Sequence, residues 1–475
     1  SHLNDLFEQA AARTQMPPPR TATPLVILSR FLSSPSPPPL PVLLRVHALA
    51  VTCGLSPRPD LAAKLVSAYS FAGRHGLAAL AFSACPFPDT FLWNSLLRSH
   101  HCASEFASVL SAHRGMLASG ARPSPFTGPL AASAAAELGA LLVGASVHAY
   151  CVRLGLLTGD GCVAVASSLV YMYARCAVVD DAVKLFEEMP ERDVVAWTAV
   201  VSGYAHLGHS NDALSLYDQM RTEGVKPNSA TLRTVISACA DLAALERGEQ
   251  IHSYVKEMGL DSDVSISTAL VDMYAKCGQL GISRGIFDSM LQRDVVSWNV
   301  MISGYGMHGN AKEALELFCE MESGSVEPNG VTFLSILSAC CHAGLVDEGR
   351  KLLLKMRERS LEPNLKHYAC MVDLLAKSGR LQEAEDMVLA MPIEPDGGIW
   401  GTLLSACKVH NNFEMGLRIA KKAIVSDPRN DGYYILMSNS YGNVGKWNDI
   451  ENLRDMMKDH GVEKTVGWSA VDTCV

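Results

Sequence analysis

The chain has 475 residues, more than one compact core usually supports, and 48% of them are hydrophobic, ample for folding. With 40 Lys and Arg against 49 Asp and Glu, its formal net charge of −9 argues against holding nucleic acid by bulk electrostatics and shifts weight to where single cations sit. No stretch reaches the roughly 18 uninterrupted apolar residues of a membrane span; the alanine-rich segment 125–149 comes nearest and contains Glu137, so no membrane partner is expected.

In chain order, residues 16–45 come first, beginning MPPPRTATPLVILSRFLSSPSPPPLP. They are rich in Ser and Pro, carry Arg20 and Arg30, and contain no acid. That composition fits an organellar transit segment, with Met16 as a candidate native start, and equally a flexible proline-rich leader.

Beyond it the sequence repeats. Trp93, Trp197, Trp298 and Trp400 fall 104, 101 and 102 residues apart. The segment 194-VVAWTAVVSGYAHLG parallels 295-VVSWNVMISGYGMHG, and 229-SATLRTVISACADLAALERGEQIHSYV parallels 330-GVTFLSILSACCHAGLVDEGRKLLLKM. A third member recurs as 163-VAVASSLVYMYARCAVVDDAVKLFEEMPERD, 264-VSISTALVDMYAKCGQLGISRGIFDSMLQRD and 365-LKHYACMVDLLAKSGRLQEAEDMVLAMPIEPD. The period therefore decomposes into units of about 35, 35 and 31 residues, the range of stacked helical repeats.

Each unit reads as two helices. In 194–228, Trp197, Val200, Val201 and Tyr204 keep the spacing of one apolar stripe, and Ala213, Leu216, Tyr217 and Met220 keep it again. Gly208 is expected to end the first helix and Ser210 or Asn211 to cap the second, with Gly224 and Pro227 stopping the chain before the next unit. Two short helices cannot bury both stripes alone, but stacked neighbours can. The expected fold is all-α, an α-solenoid of antiparallel helix-turn-helix repeats forming a right-handed superhelix with a long concave surface.

The 14 cysteines mostly follow the repeat: Cys239, Cys340 and Cys407 share one place, Cys176 and Cys277 another. No Cys-x-x-Cys, His-x-Glu or His-Glu-x-x-His pattern supplies a zinc ligand set, so reduced thiols at helix interfaces and no metal or cofactor are expected. Histidines such as His252 and His342 lack partners at triad-like spacing and are assigned to packing or solvent. Arg175, Lys276 and Lys377 recur at the thirteenth place of the three short units, a spaced basic row able to meet successive phosphates or, equally, solvated helix ends.

Laid out this way, the chain resembles the plant pentatricopeptide-repeat family, in the subclass with alternating P, L and S motifs. The resemblance covers residues 24–468 and is carried by phrases such as SWNVMISGYGMHGNAKEALELFCEM and VTFLSILSACCHAGLVDEGRKL. Its register places S at 59–89, P at 90–124, L at 125–162, S at 163–193, P at 194–228, L at 229–263, S at 264–294, P at 295–329, L at 330–364 and S at 365–396. Residues 1–23 form a leader, and 24–58 keep only the second helix of an L motif, LLRVHALAVTCGL. Residues 397–464 resemble two E motifs, helical hairpins associated with partner recruitment at RNA editing sites, and 465–475 is a short tail.

The resemblance implies single-stranded RNA binding at one nucleotide per repeat, with polar side chains at the fifth and last places addressing each base edge and the second-place residue packing on it. Carried onto this chain, Asn94 with Ser124 resembles a cytosine pair, Thr198 with Asn228 an adenine pair and Thr268 with Asp294 a guanine pair. Asn299 with Asn329 resembles a pyrimidine pair, and Ser167 with Asp193 a purine pair. Phe91, Val195 and Val296 take the base-packing place. The L motifs present Arg233 or Leu334 at the fifth place, and Ala63 and Ala369 fill it in the outer S motifs; none forms a readable pair. The implied preference, 5′ to 3′, is C-n-R-A-n-G-Y-n-n. For each position taken singly, a Thr or Asn in the first helical turn also fits a plain cap; recurrence in register favours the reader.

Longer relatives continue into a cytidine-deaminase-like domain, whose zinc-bound hydroxide and Glu shuttle need an H-x-E and C-x-x-C arrangement absent here. The expectation is therefore a non-enzymatic site-recognition factor for C-to-U RNA editing in a mitochondrion or chloroplast, the mitochondrion favoured. Its partners would be organellar RNA and a deaminase-domain protein with accessory factors, recruited in trans through the E motifs. An RNA stability or processing factor and a protein-binding helical scaffold are the alternatives.

Overall fold

The computed structural model describes residues 38–158 and 162–462; the leader at 1–23, the front of the partial L motif and the tail at 465–475 lie outside the described residues. Every regular element among the described residues is an α-helix, and the helices pair into repeats of an all-α solenoid. The chain divides into two compact units, residues 1–238 and 239–475.

In the first unit, helix Leu40–Thr52 precedes repeats whose first helices are Pro59–Phe71, Thr90–Cys102, Thr127–Glu137, Cys162–Arg175 and Val194–His206. Their second helices are His75–Ser83, Phe106–Ala118, Leu141–Arg153, Val179–Glu188 and Ser210–Thr222. In the second unit the first helices are Val264–Lys276, Val295–Met307, Gly330–Ala343, Leu365–Lys377, Gly397–Val409 and Asp431–Asn443. There Leu245–Glu257, Leu280–Ser289, Ala311–Ser323, Val346–Glu358, Leu381–Ala390, Phe413–Ser426 and Trp447–Asp459 are the second helices. Helix Ser229–Asp241 spans the division. Within each unit, first helices pack on first helices of the neighbouring repeat, and each second helix packs on its own first helix and on the next.

The apolar stripes read from sequence face these contacts. Trp197, Val200, Val201, Ala213 and Met220 are fully buried. Each P-motif tryptophan meets a phenylalanine of the preceding S repeat edge to face: Trp93 on Phe82 at 4.6 Å, Trp197 on Phe186 at 4.7 Å and Trp298 on Phe287 at 5.0 Å between centroids. Their indole nitrogens are buried without hydrogen-bond partners, so the ring's area, not its N–H, anchors the repeat.

The turn between helices departs from expectation in one respect. Gly208 ends its helix as expected, at φ +80°, but neither Ser210 nor Asn211 caps the next helix. His209 holds the cap position without a side-chain capping bond, and Ser210 is the first helical residue and buried.

L–S junctions carry their own signature. His47, His148 and His252 bond the Tyr69, Tyr173 and Tyr274 hydroxyls at 3.0, 2.9 and 2.9 Å, and at the fourth junction Leu353 and Leu375, both buried, take the same two places. Gly144, Gly248 and Gly349 stand where the second L helix crosses closely; a Cβ at Gly248 would lie 2.5 Å from Met273 Sδ. Cys239, Cys340 and Cys407 are buried at the shared place, and burial pushes the Cys340 and Cys407 thiols up to about 11.

Candidate nucleic-acid interface

At most repeat boundaries the last residue is the N-cap of the next repeat's first helix; Ser124 instead precedes a helix with Phe126 at its N-cap, and Cys162 is itself the first residue of its helix. Asp89, Asp193, Asn228, Asp294, Asn329, Asn364, Asp396 and Asn430 all accept from backbone N–H groups of that helix through one side-chain oxygen. Capping thus belongs to the last place, and the fifth-place residue lies one turn into its own helix. Because the cap fixes which oxygen points inward, it also fixes what the side chain shows outward. An Asp presents its second oxygen, an acceptor; an Asn whose oxygen is saturated presents its amide N–H groups.

The paired places come together across neighbouring repeats. Asn94 Nδ2 donates to Ser124 Oγ at 3.0 Å, Ser167 Oγ to Asp193 Oδ1 at 2.7 Å, and Asn299 Nδ2 approaches Asn329 Oδ1 at 3.5 Å. Thr198 does not touch Asn228 directly; both meet Thr231, whose Oγ1 lies 2.7 Å from Thr198 Oγ1 and donates to Asn228 Oδ1 at 3.0 Å. Thr268 stands beside no hydrogen-bond partner at all. Its Oγ1 and Asn299 Oδ1 are buried polar atoms left unpaired, a costly state that a bound group can relieve. Next to these pairs, Phe91, Val195 and Val296 remain 65%, 49% and 52% exposed despite their apolar side chains.

Three residues escaped the sequence reading: Thr127, Thr231 and Thr332, the third-place threonines of the L repeats. All are fully buried against the preceding P pair. Their signal was present as Ser124-x-x-Thr127, Asn228-x-x-Thr231 and Asn329-x-x-Thr332, the spacing of a capping box.

The basic row is engaged rather than bare. Lys276 pairs with Asp272 at 3.0 Å and Asp241 at 3.4 Å, and Lys377 with Asp373 at 2.7 Å, while Arg175 is exposed and lies beside Tyr171 and Glu137, which are joined at 2.6 Å. Hydrogen bonding to those aspartates holds the Lys276 and Lys377 ammonium groups charged, against the opposing effect of burial.

Beyond residue 396 the cleft changes. The fifth place is Gly401, and the third-place residue of the following hairpin, Tyr433, fills the space beside it and donates to Gly397 O at 2.6 Å. Glu385, only 4% exposed, ties the last S repeat to the 397 hairpin through Arg418 at 2.5 Å and Lys422 at 3.1 Å; the Arg418 guanidinium holds its carboxyl below the usual range. No group of three or more potential metal ligands exists among the described residues, and no described helix is long and apolar enough to cross a membrane.

Family models agree with this repeat structure. A PPR repeat family model matches residues 192–241 and 293–342, a PPR repeat model 165–194, 265–295, 331–361 and 367–393, and an E motif model 410–472. An Arabidopsis thaliana chloroplastic pentatricopeptide repeat-containing protein is 38% identical over 428 residues, 90% of this chain and 52% of its own length. A second from that organism is 36% identical over 470 residues, covering 91% of this chain and 88% of the relative, and a mitochondrial one is 37% identical, covering 90% and 69%. The chain thus spans about half the length of the first of these relatives. Among solved structures, the pentatricopeptide repeat protein PPR10 from maize aligns with TM-score 0.61 over 88% of this chain and 61% of that one. PPR10 in complex with an 18-nt psaJ RNA element reaches 0.67 over 97% and 72%; both are 19% identical, a likeness of fold.

Proposed function

Because the chain belongs to the pentatricopeptide-repeat family, we propose that it binds single-stranded organellar RNA through repeats 59–396 and selects sites for C-to-U editing. The observation that carries this reading is the convergence of fifth- and last-place side chains between neighbouring repeats, with unpaired polar atoms at Thr268 and Asn299 beside exposed apolar second-place residues. The donor and acceptor arrangement is chemically selective. At 268 and 294, a free hydroxyl and an outward carboxylate oxygen suit guanine O6 and its N1–H and N2–H. At 198 and 228, the Thr198 proton is committed to Val194 O or Thr231 Oγ1, so the hydroxyl offers an acceptor for adenine N6–H while the Asn228 amide donates to N1. Asn329 offers an amide donor to a pyrimidine carbonyl or to cytosine N3, and the unpaired Asn299 Oδ1 offers an acceptor to uracil N3–H or the cytosine amino group.

Lys276 and Lys377 serve the phosphates by exchanging a carboxylate partner for the RNA backbone, and Arg175 does so from an exposed helix end. The hairpins at 397–464, where Tyr433 closes the cleft, dock a deaminase-domain protein and accessory factors supplied in trans. Relatives carry both chloroplastic and mitochondrial names, which supports an organelle without choosing one.

Binding is tested with two short RNAs at fixed moderate salt, one following C-n-R-A-n-G-Y-n-n and one with its A and G exchanged. The matched RNA should bind more tightly. Equal affinity would sink the specific reader, and no binding to either would favour a protein-binding scaffold. Editing is tested by sequencing organellar transcripts after gene knockout: lost C-to-U conversion is the expected result, whereas changed transcript ends or abundance alone would point to a stability or processing factor.

A further inference from the structure

The L repeats carry no readable pair of their own, yet each buries a threonine against the pair before it. Thr127 Oγ1 donates to Asn94 Oδ1 at 2.7 Å and accepts from Ser124 N at 3.0 Å. Thr231 Oγ1 donates to Asn228 Oδ1 at 3.0 Å and contacts Thr198 Oγ1 at 2.7 Å. Thr332 Oγ1 donates to Asn329 Oδ1 at 3.1 Å and accepts from Asn329 N at 3.0 Å. At the S-to-P junctions the same place holds Leu92, Ala196 and Ser297. None bonds the last-place side chain through a side chain of its own; Ser297 Oγ turns instead to Asp294 O.

The consequence follows from counting lone pairs. An amide oxygen has two. In Asn228 one accepts the Thr231 backbone N–H at 2.9 Å and the other the Thr231 hydroxyl; Asn329 is saturated in the same way by Thr332, with Asn299 Nδ2 a third and longer approach at 3.5 Å. Neither oxygen has capacity left for a base. The amide is locked with its N–H groups outward. In the 90–124 repeat the threonine grips the fifth-place amide instead, and Asn94 again directs N–H groups away from it.

We infer that Thr127, Thr231 and Thr332 are positioning residues that fix the amide orientation of the preceding P-repeat pair, so that an L repeat sets the base choice of its neighbour rather than reading a base itself. This rests on the RNA-binding reading above. Without the hydroxyl, the amide keeps only its cap bond, and its flipped form, with oxygen outward, rises in population.

The test is Thr231→Val, which keeps the shape and removes the hydroxyl, with Thr231→Ser as the variant that restores it. Affinities of the full chain are measured for RNAs carrying each of the four bases opposite the 194–228 repeat, and the side-chain amide resonances of asparagine-labelled protein are recorded without RNA. Thr231→Val should lower the preference for adenine over the other bases by about tenfold, and Thr231→Ser should recover it. The Asn228 amide should give sharp, slowly exchanging signals in the unaltered chain and in Thr231→Ser, and averaged ones in Thr231→Val. An equal loss for all four bases, or an unchanged amide signal, would overturn the assignment. Failure of the unaltered chain to bind RNA would overturn the RNA reading instead, and the amide signals alone would then decide the orientation.

Discussion

Asp294 caps a helix and, in the proposed reading, also faces a base; one substitution distinguishes the two roles. Its Oδ1 caps helix Val295–Met307 by accepting from Ser297 N at 2.9 Å, which leaves Oδ2 outside the cap, and the fifth-place Thr268 hydroxyl of the same repeat is unpaired. Asn caps as well as Asp, so Asp294→Asn should leave the helix intact, whereas Asp294→Ala should cost about 1 kcal/mol of stability. The outward group, however, changes from acceptor to donor. Guanine then loses bonds to a charged acceptor worth about 2 kcal/mol net, while Thr268 with an asparagine amide matches the Thr198 and Asn228 residue types, though with Ser297 in place of the threonine that bonds Asn228. The expected result is roughly a 30-fold swing from guanine toward adenine at that nucleotide, with the melting temperature unchanged. Fluorescence anisotropy with two RNAs differing only at that base, at one salt concentration, measures it. If Asp294→Asn shifts both affinities by the same factor, the carboxylate contributes charge and capping but no readout, and the donor and acceptor argument fails.

Other consequences can be checked independently. Gly248→Ala places a Cβ 2.5 Å from Met273 Sδ and should destabilise the chain by about 1–3 kcal/mol in denaturant titration, whereas Gly281→Ala, which meets nothing within 4 Å, should be neutral or stabilising. Burial lowers the pKa of His252, Lys256 lowers it further and Asp261 opposes; burial also lowers those of His47 and His148. The unfolded chain therefore takes up protons first, and stability that is full above the unfolded value of about 6.5 falls as pH drops through it. Melting from pH 8 to pH 5 should show this loss, and His252→Leu with Tyr274→Leu, the pairing already present at Leu353 and Leu375, should reduce it; a melting temperature that rises on acidification refutes the sign. Lys276→Gln should flatten the salt dependence of RNA binding by about 0.7 in log–log slope if the lysine trades Asp241 and Asp272 for a phosphate, and an unchanged slope would confine it to those ion pairs.

Periodicity made the fold legible because the same burial problem is solved repeatedly. Trp197, Val200 and Val201 must face inward in any stacked pair of helices, and the spacing of glycines and prolines then fixes where the turns fall. The fifth and last places of the repeats were legible only by register. Which atom of Asn228 or Asp294 faces outward depends on a cap made across a repeat boundary, and neither composition nor helical spacing encodes that. The Asn-x-x-Thr signal was visible but resembles an ordinary capping box, and only burial of Thr231 between two repeats distinguishes it. Likewise Lys276 appears as a bare cation in sequence, because Asp241 is 35 residues away and meets it only once the repeats stack.

The fourth tryptophan shows why spacing and function separate. Trp400 is buried like Trp93 and Trp298, and Asp396 and Asn430 cap their helices as the other last-place residues do, so the scaffold continues past residue 396 without a break. What ends is the cleft. Gly398 and Gly401 replace the apolar and polar side chains of the second and fifth places, and the Tyr433 ring occupies the volume vacated at the fifth place, 3.1 Å from a Cβ at 401. A tyrosine stands where the L repeats place a threonine, and it seals the position where theirs orients an amide. One register thus supports two outcomes, decided by the size of the third-place residue and the presence of a fifth-place side chain. Opening the seal with Tyr433→Thr and Gly401→Thr should extend RNA protection by one nucleotide at its 3′ end in footprinting, and an unchanged footprint would mean that more than this ring separates reading repeats from the hairpins beyond them.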